Sequence, residues 1–314
     1  MTASATHPPG FEAEIPAIRA RITLAGTFST APNPLEAVTW RYTPYFEAVP
    51  DEAMTLEWFL RVFDDLRNFL CFCTFGVVAA ESINVFLSED DHEGAGVFRN
   101  TWLVKSPEPV APHQMIVRLP VIRPSIEATL LEWFALSGVA RPAIELFCGV
   151  LFGGTGISTY SFLALAQAAE AYHRCTHEGT YESSEAYDEH LSEIKLPEGL
   201  PKPLRKKLKD VLKYGNELSL RKRLTELFDG LGPLRAAVSR DSKEAVSEIV
   251  DARNALTHQT KGVARPPWPR LAYLSRVLQL LLLGTTLRRI GVPEPVVREG
   301  LEGLAVSLRF VGQP

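Results

Sequence analysis

The sequence lacks the features that mark membrane-spanning or disulfide-rich proteins. Its longest apolar stretch, residues 277–283, is interrupted by Gln279 and falls well short of the roughly 20 residues that a bilayer crossing needs. The first ten residues have no basic segment followed by an apolar core, which argues against a secretory signal. We therefore expect a cytoplasmic protein with no transmembrane helix.

Cysteine is scarce, and the spacing of the four cysteines excludes the common zinc motifs. They are Cys71, Cys73, Cys148 and Cys175, and no cysteine or histidine pairs accompany them at zinc-finger spacing. Two of them lie in the apolar run of residues 69–78, which is typical of buried free thiols. We expect neither a metal site nor a cofactor.

The usual hydrolase signatures are also missing. There is no Gly-x-Ser-x-Gly, no His-Glu-x-x-His and no phosphate-binding loop ending in Lys-Ser or Lys-Thr. One alternative stays open, because His173 and His177 are four residues apart, and with Glu170 they would share one face of a helix. These three residues define a possible metal-dependent hydrolase.

Charge is distributed unevenly along the chain. Residues 201–290 contain 19 basic and 8 acidic residues, whereas the remainder contains 14 basic and 29 acidic ones. A basic segment attached to an acidic body is the pattern expected where one face meets a polyanion. Solvated basic helix faces would give the same counts.

The hydrophobic pattern predicts an α+β protein with two domains. Residues 1–122 should form a small mixed domain, with one helix over residues 54–73 and short strands over residues 22–24, 38–42, 83–87, 97–104 and 115–119. Residues 123–314 should form an all-α bundle. Its predicted helices cover residues 125–136, 142–151, 160–174, 202–214, 221–228, 241–257, 269–289 and 295–308.

One predicted helix, residues 241–257, carries an unusual arrangement of polar residues. Its apolar stripe includes Val246 and Ile249, and at 100° per residue Arg253 falls within that stripe. A guanidinium at such a position must be paired with a carboxylate or used on a ligand. Asn254 and His258 share a different face of the helix. Arg253 and His258 therefore meet only if the helix unwinds near Thr257 or if a second copy of the chain supplies the partner.

The spacing Arg253-Asn254-x-x-x-His258 near the end of a helix resembles the Arg-x(4–6)-His signature of HEPN ribonucleases. The flanking segments Ile122-Arg-Pro-Ser-Ile-Glu127, Leu131-Glu-Trp-Phe134 and residues 162–174 are similar to the anti-phage ApeA-like subgroup. In that subgroup a β-rich N-terminal domain precedes the HEPN domain. The resemblance implies a homodimeric, metal-independent endoribonuclease that acts in abortive infection and responds to a phage trigger.

The residue chemistry agrees with this implication. A histidine that titrates near neutrality exchanges a proton with a ribose 2′-hydroxyl or a leaving 5′-oxygen, and an arginine stabilises a charged phosphate. We thus predict catalytic roles for Arg253, His258 and Asn254, and RNA-backbone contacts for Lys261 and Arg265. The RNA would be a tRNA or another RNA with single-stranded loops. A non-catalytic HEPN-like module that dimerises, binds nucleic acid or neutralises a toxin is the alternative.

Overall fold

The computed structural model describes residues 10–30, 40–80, 82–86, 95–96, 114–153, 157–258 and 265–306. The chain divides into two compact units. Unit 1 contains residues 1–155 and 286–304, and unit 2 contains residues 156–285 and 305–314. The domain boundary predicted at residues 122 and 123 therefore falls inside unit 1.

Unit 1 contains an antiparallel sheet of three strands in the order β1-β2-β3. The strands are β1 (Phe11–Ile15), β2 (Ala20–Thr30) and β3 (Trp40–Pro50). Alternating residues of β1 and β2 are buried, among them Ile15 and Ile22, as a half-buried sheet requires. Sequence alternation located β2 and the start of β3, but it missed β1.

The helices of unit 1 are α1 (Leu56–Thr74), α2 (Leu119–Ile122), α3 (Ile126–Phe152) and α11 (Glu294–Val306). Helix α1 confirms the helix predicted over residues 54–73. The two helices predicted over residues 125–136 and 142–151 are one helix with non-helical backbone at Ala140 (φ −104°, ψ 17°). Pro142 cannot donate a backbone hydrogen bond, which accounts for the distortion just before it.

Aromatic rings join α1 to α3 in the core of unit 1. Phe72 stacks on Phe147 with ring centroids 4.6 Å apart, and Trp133 contacts both Phe69 and Phe72. The indole of Trp133 donates a hydrogen bond of 2.9 Å to the carbonyl oxygen of Asp65. This packing fixes the relative position of the two helices.

A buried ion pair lies beside these rings. Nη2 of Arg141 is 2.8 Å from Oδ2 of Asp65, whose side chain is only 5% exposed. Burial raises the pKa of the Asp65 carboxyl, and the guanidinium of Arg141 opposes that effect. The pair connects α1 to α3 through charge as well as packing.

Two predicted strands of unit 1 have different outcomes. The strand predicted over residues 83–87 is present as the short β4 (Asn84–Val85), paired with β5 (Ala95–Gly96). The strand predicted over residues 115–119 is wrong, since residues 119–122 form α2. Pro120, in the first turn of α2, has the fixed φ that suits a helix start. The strand predicted over residues 97–104 lies outside the described residues.

The segment Leu119–Phe152 is long and apolar enough to cross a membrane by length and composition alone. Its side chains nevertheless build the core of unit 1, because Leu130, Trp133, Ala140 and Phe147 are buried there. Its burial is typical of a core helix and gives no clear membrane span.

Unit 2 is helical throughout its described residues apart from connecting turns. Its helices are α4 (Thr159–Thr176), α5 (Ser184–Glu193), α6 (Lys202–Lys213), α7 (Leu220–Gly230), α8 (Arg235–Val238), α9 (Ser242–His258) and α10 (Trp268–Arg289), whose last four residues belong to unit 1. The α+β class with a helical C-terminal region is confirmed. Helix α5 was not predicted, since its polar sequence has no apolar stripe.

Candidate functional site

Helix α9 carries the predicted catalytic residues, and its first turn explains where it begins. Oδ1 of Asp241 accepts a hydrogen bond of 2.9 Å from the backbone N–H of Glu244. The side chain of Asp241 thereby caps the start of the helix. The buried face of the helix includes Ala245, Ile249 and Ala252, which fix its orientation against the rest of unit 2.

Arg253 lies at the edge of this buried face and is half-buried. Its Nη1 donates a hydrogen bond of 3.3 Å to Oδ1 of Asn254, which is exposed. No carboxylate among the described residues forms an ion pair with Arg253. The sequence predicted Arg253 within the apolar stripe, and the structure leaves it half-buried between the buried Ala252 and Ala255 along the chain.

The other predicted site residues are described in part. His258 is the last residue of α9, and its backbone is helical. Lys261 and the side chain of His258 lie outside the described residues. Arg265 is exposed. Trp268 begins α10, and its indole donates a hydrogen bond of 3.3 Å to the carbonyl oxygen of Ile157 while staying 57% exposed.

A shallow cavity of about 180 Å³ adjoins the buried edge of α9. Its lining comes from α9 and α10 and includes Asp251, Ala255 and Leu274. Beside it, Nε of Arg270 lies 2.5 Å from Oε2 of Glu248, and this hydrogen bond raises the pKa of the guanidinium. Two of the charged residues that line the cavity, Glu248 and Arg270, are thus paired with each other.

A second polar cluster is buried between α4 and α7. Nη1 of Arg223 lies 3.1 Å from Nδ1 of His173, and Nε2 of His173 lies 2.7 Å from Oε2 of Glu226. Both Arg223 and His173 are almost completely inaccessible to solvent. Burial lowers the pKa of His173, and Glu226 only partly opposes this effect.

These contacts contradict the alternative metal site of Glu170, His173 and His177. Both ring nitrogens of His173 are already hydrogen-bonded, and Glu170 forms an ion pair of 3.1 Å with Arg174. The two imidazoles stack with centroids 4.6 Å apart, so their rings face each other rather than converge on one point. Within the described part of the chain, no group of three or more potential ligands is placed to hold a metal ion.

Sequence reasoning missed Arg223 and Glu226, although a signal for Arg223 exists. In α7 the buried residues are Arg223, Leu224, Leu227 and Phe228, so the arginine interrupts an apolar stripe. At 100° per residue Arg223 lies about 40° from Leu227, at the edge of the stripe, so this signal is weaker than that of Arg253. Glu226 has no such signal, because a glutamate on a half-exposed face is ordinary.

Comparison with protein families assigns both parts of the chain. Residues 18–133 match the family model "ApeA N-terminal domain 1", and residues 163–295 match the model "Apea-like HEPN". Neither a curated protein nor a solved structure matches the chain. The second match includes α4, α7 and α9, and therefore contains both the Arg253 region and the buried cluster.

Proposed function

This chain combines an ApeA N-terminal domain with an ApeA-like HEPN domain, and we propose that it is a metal-independent endoribonuclease of anti-phage defence. The observation that carries the proposal is the state of Arg253. Its guanidinium is half-buried on a HEPN helix and has no carboxylate partner among the described residues. A guanidinium held in this way is suited to bind a phosphate.

The proposed reaction needs no group beyond side chains and RNA. A base removes the proton of the ribose 2′-hydroxyl, the 2′-oxygen forms a bond to phosphorus, and the bond from phosphorus to the 5′-oxygen breaks. The 5′-oxygen takes a proton, so the products are a 2′,3′-cyclic phosphate and a 5′-hydroxyl. His258 transfers the proton, while Arg253 stabilises the charge that develops on the phosphate.

Asn254 positions Arg253 in this scheme. Its Oδ1 accepts the hydrogen bond from the guanidinium and so limits the rotation of that side chain. Lys261 and Arg265 would contact neighbouring phosphates without reading sequence. The RNA substrate is a tRNA or another RNA with exposed loops.

The helix geometry favours an active site shared between two copies of the chain. Arg253 and His258 are five residues apart on α9, which places them about 140° apart around the axis and about 7.5 Å apart along it. The two side chains reach one phosphate more easily when one copy contributes Arg253 and the other copy contributes His258. We therefore propose a homodimer that forms through the HEPN domain in the cytoplasm.

The first experiment measures cleavage of labelled RNA in EDTA by the full chain. We expect the wild type to produce 2′,3′-cyclic phosphate ends, and Arg253→Ala and His258→Ala to lower the rate by about 10³-fold each. Arg240→Ala is the matched control, because Arg240 is an exposed arginine just before α9. Equal cleavage by wild type and both site variants would overturn the proposed site.

Mixing the two inactive variants tests the shared site. If Arg253 of one copy works with His258 of the other, a mixed dimer of Arg253→Ala and His258→Ala regains one intact site of two. Recovery of cleavage on mixing therefore supports the dimer. Bound RNA without cleavage in any sample would instead favour the non-catalytic HEPN-like module. Cleavage that occurs with divalent metal ions but is lost in EDTA would contradict the metal-independent mechanism.

Sensing of a phage trigger is proposed for the ApeA N-terminal domain. A ribonuclease that acts on cellular RNA needs restraint until infection. Deletion of the residues before Arg123 also removes α1 and its packing against α3, so circular dichroism must first show that the helical unit 2 still folds. In such a folded variant the dependence of toxicity on infection should be abolished. Unchanged dependence would contradict this role.

A further inference from the structure

Residues 179–218 form an excursion from unit 2 that we call the arm. Its two ends meet, since the backbone N–H of Leu218 donates a hydrogen bond of 2.9 Å to the carbonyl oxygen of Gly179. Thr180 and Glu217 pair as an isolated antiparallel bridge. The buried guanidinium of Arg223 donates to the carbonyl oxygens of both Leu218 and Gly179. One side chain thus holds the entrance and the exit of the arm.

Asn216 closes the base of the arm from inside. Its Oδ1 accepts hydrogen bonds from the backbone N–H groups of Tyr181 and Glu182, at 3.2 and 3.0 Å. Its Nδ2 donates to the carbonyl oxygen of Glu182 at 2.9 Å. The base is therefore rigid, and it fixes the direction in which the arm leaves unit 2.

Between its two ends, over residues 181–215, the arm contributes no buried side chain to the core. Its helices α5 and α6 contain no buried residue, and residues 181–215 are all exposed or half-buried. Ordering these roughly 35 residues costs conformational entropy. Packing of the arm's side chains into the core does not offset that cost. The function of the arm should therefore depend on the side chains that it exposes to solvent.

Helix α6 presents a stripe of lysines. Lys202, Lys206, Lys209 and Lys213 fall within about 60° of arc and span about 17 Å along the axis. All four are exposed, and none forms an ion pair with a carboxylate in the described ranges. We call these four residues the lysine stripe. Lys213 also lies 5.9 Å from the ring centroid of Tyr214. A row of positive charges without carboxylate partners matches a regularly spaced polyanion.

The apolar side of α6 is turned away from the lysine stripe and is partly covered by the arm itself. Leu208 and Leu212 are half-buried, as are Tyr187 and Leu191 of α5. The hydroxyl of Tyr187 donates to the carbonyl oxygen of Leu212 and so links the two helices. Leu204 and Val211 of the same side stay exposed, at 44% and 58%. A membrane-surface helix needs its whole apolar side free, which Leu208 and Leu212 are not, whereas a helix that binds phosphates needs only its lysines.

We propose that the lysine stripe binds the phosphate backbone of the RNA substrate outside the cleavage site. The inference rests on the proposed ribonuclease function and adds a positioning surface to it. The lysines contact phosphates as point charges and read no sequence. The four carboxylates of α5, Glu185, Asp188, Glu189 and Glu193, restrict RNA to the α6 side of the arm.

The test measures binding and cleavage separately. The parent is the full chain with Arg253→Ala and His258→Ala, so that bound RNA stays intact. In this parent, Lys206→Gln with Lys209→Gln removes the middle of the lysine stripe. Arg240→Gln with Lys243→Gln is the matched control, since both residues are exposed and basic, belong to unit 2 and lie outside the arm. Circular dichroism checks that all variants remain folded.

The readout is anisotropy of a labelled single-stranded RNA over a range of potassium chloride concentrations. Loss of two phosphate contacts should lower the affinity by about 25-fold at 0.1 M salt and reduce the salt slope by about 1.4. The control pair should keep the parent affinity and slope. This result supports the inference.

Other outcomes overturn the inference. Equal weakening by both pairs would show that general surface charge binds the RNA. Unchanged RNA binding together with lost binding to phosphatidylserine vesicles would assign α6 to a membrane, and a changed oligomeric state with unchanged RNA binding would assign it to a second copy.

Failure of the inference is distinguishable from failure of the catalytic proposal. RNA binding that depends on the lysine stripe, in a wild type that does not cleave, would overturn the ribonuclease alone. If the wild type cleaves RNA and the lysine-stripe variants bind RNA as the parent does, only the proposed role of the lysine stripe is overturned.

Discussion

The guanidinium of Arg223 donates a hydrogen bond to Nδ1 of His173 at 3.1 Å, and this contact fixes the protonation state of the histidine. Arginine is only a donor, so Nδ1 must be the acceptor and the proton resides on Nε2. Nε2 in turn donates to Glu226 at 2.7 Å. A second proton on His173 would break the contact with Arg223 and place two cations together in the protein interior.

The stability of unit 2 should decrease on mild acidification because of His173. Its pKa is lowered by burial, so the unfolded chain binds a proton first as the pH falls. The contribution of His173 is fully present above about pH 6.5 and is lost below it, with a slope of up to about 1.4 kcal/mol per pH unit. Urea unfolding between about pH 7.5 and pH 5.5 measures this dependence.

His177 supplies the control for that prediction. His177 is exposed, whereas His173 is buried, and the two rings stack on each other. His173→Gln should flatten the pH dependence and lower the stability at neutral pH by about 2 kcal/mol. His177→Gln should leave both nearly unchanged. A pH dependence that persists in His173→Gln would show that another group causes it.

Removing Arg223 should loosen the base of the arm. Arg223→Met leaves the carbonyl oxygen of Leu218 and Nδ1 of His173 without their donor and removes one of two donors to Gly179, which should cost about 3 kcal/mol of unfolding free energy. Arg221→Met is the control, since Arg221 is exposed and makes only a 3.8 Å ion pair with Asp251. Hydrogen exchange should accelerate at residues 179–218 in the first variant alone. Uniform acceleration across unit 2 would argue against a local role.

In unit 1, Asp65 and Arg141 should be energetically coupled. Asp65→Asn leaves the partly buried guanidinium with only a 3.9 Å ion pair to the exposed Glu145, and Arg141→Met leaves a buried carboxylate without its cation. Each single change should lower the unfolding free energy by about 2 kcal/mol, and the double variant by less than the sum of the two. Additive losses would show that the two side chains act independently.

Arg253→Lys separates charge from geometry in the proposed active site. Lysine keeps the positive charge but loses the planar guanidinium that binds two phosphate oxygens and that donates to Asn254. Cleavage should fall by about 10²-fold with unchanged thermal stability. The conservative Arg240→Lys is the matched control. Full activity of Arg253→Lys would show that a point charge suffices there.

The sequence was most informative where hydrophobic periodicity is strong. The α+β class, the helix α1 and the helices around Arg253 followed from that periodicity. The ApeA-like HEPN architecture followed from the resemblance of the Arg253–His258 spacing and its flanking segments to that family. It was weakest where pairing partners are distant or the composition is polar. Strand β1 is half-exposed and short, and α5 is stabilised by its cap and its neighbour rather than by an apolar stripe.

The candidate site shows the same division. The spacing of Arg253, Asn254 and His258 was visible in the sequence. The sequence did not show whether Arg253 has a carboxylate partner. That question depends on which residues of α7 and α10 face α9, and such contacts join residues far apart in the chain. The helical wheel therefore identified the unusual arginine and left its environment open.

By itself the sequence determined the local propensities, the basic character of residues 201–290 and the residue types available for chemistry. The tertiary structure alone decided that Arg223 is buried and joined to His173, and that residues 179–218 close into an arm. The reason is physical, since burial and hydrogen-bond pairing arise only when distant segments meet. A row of lysines becomes a surface only when the packing leaves it exposed.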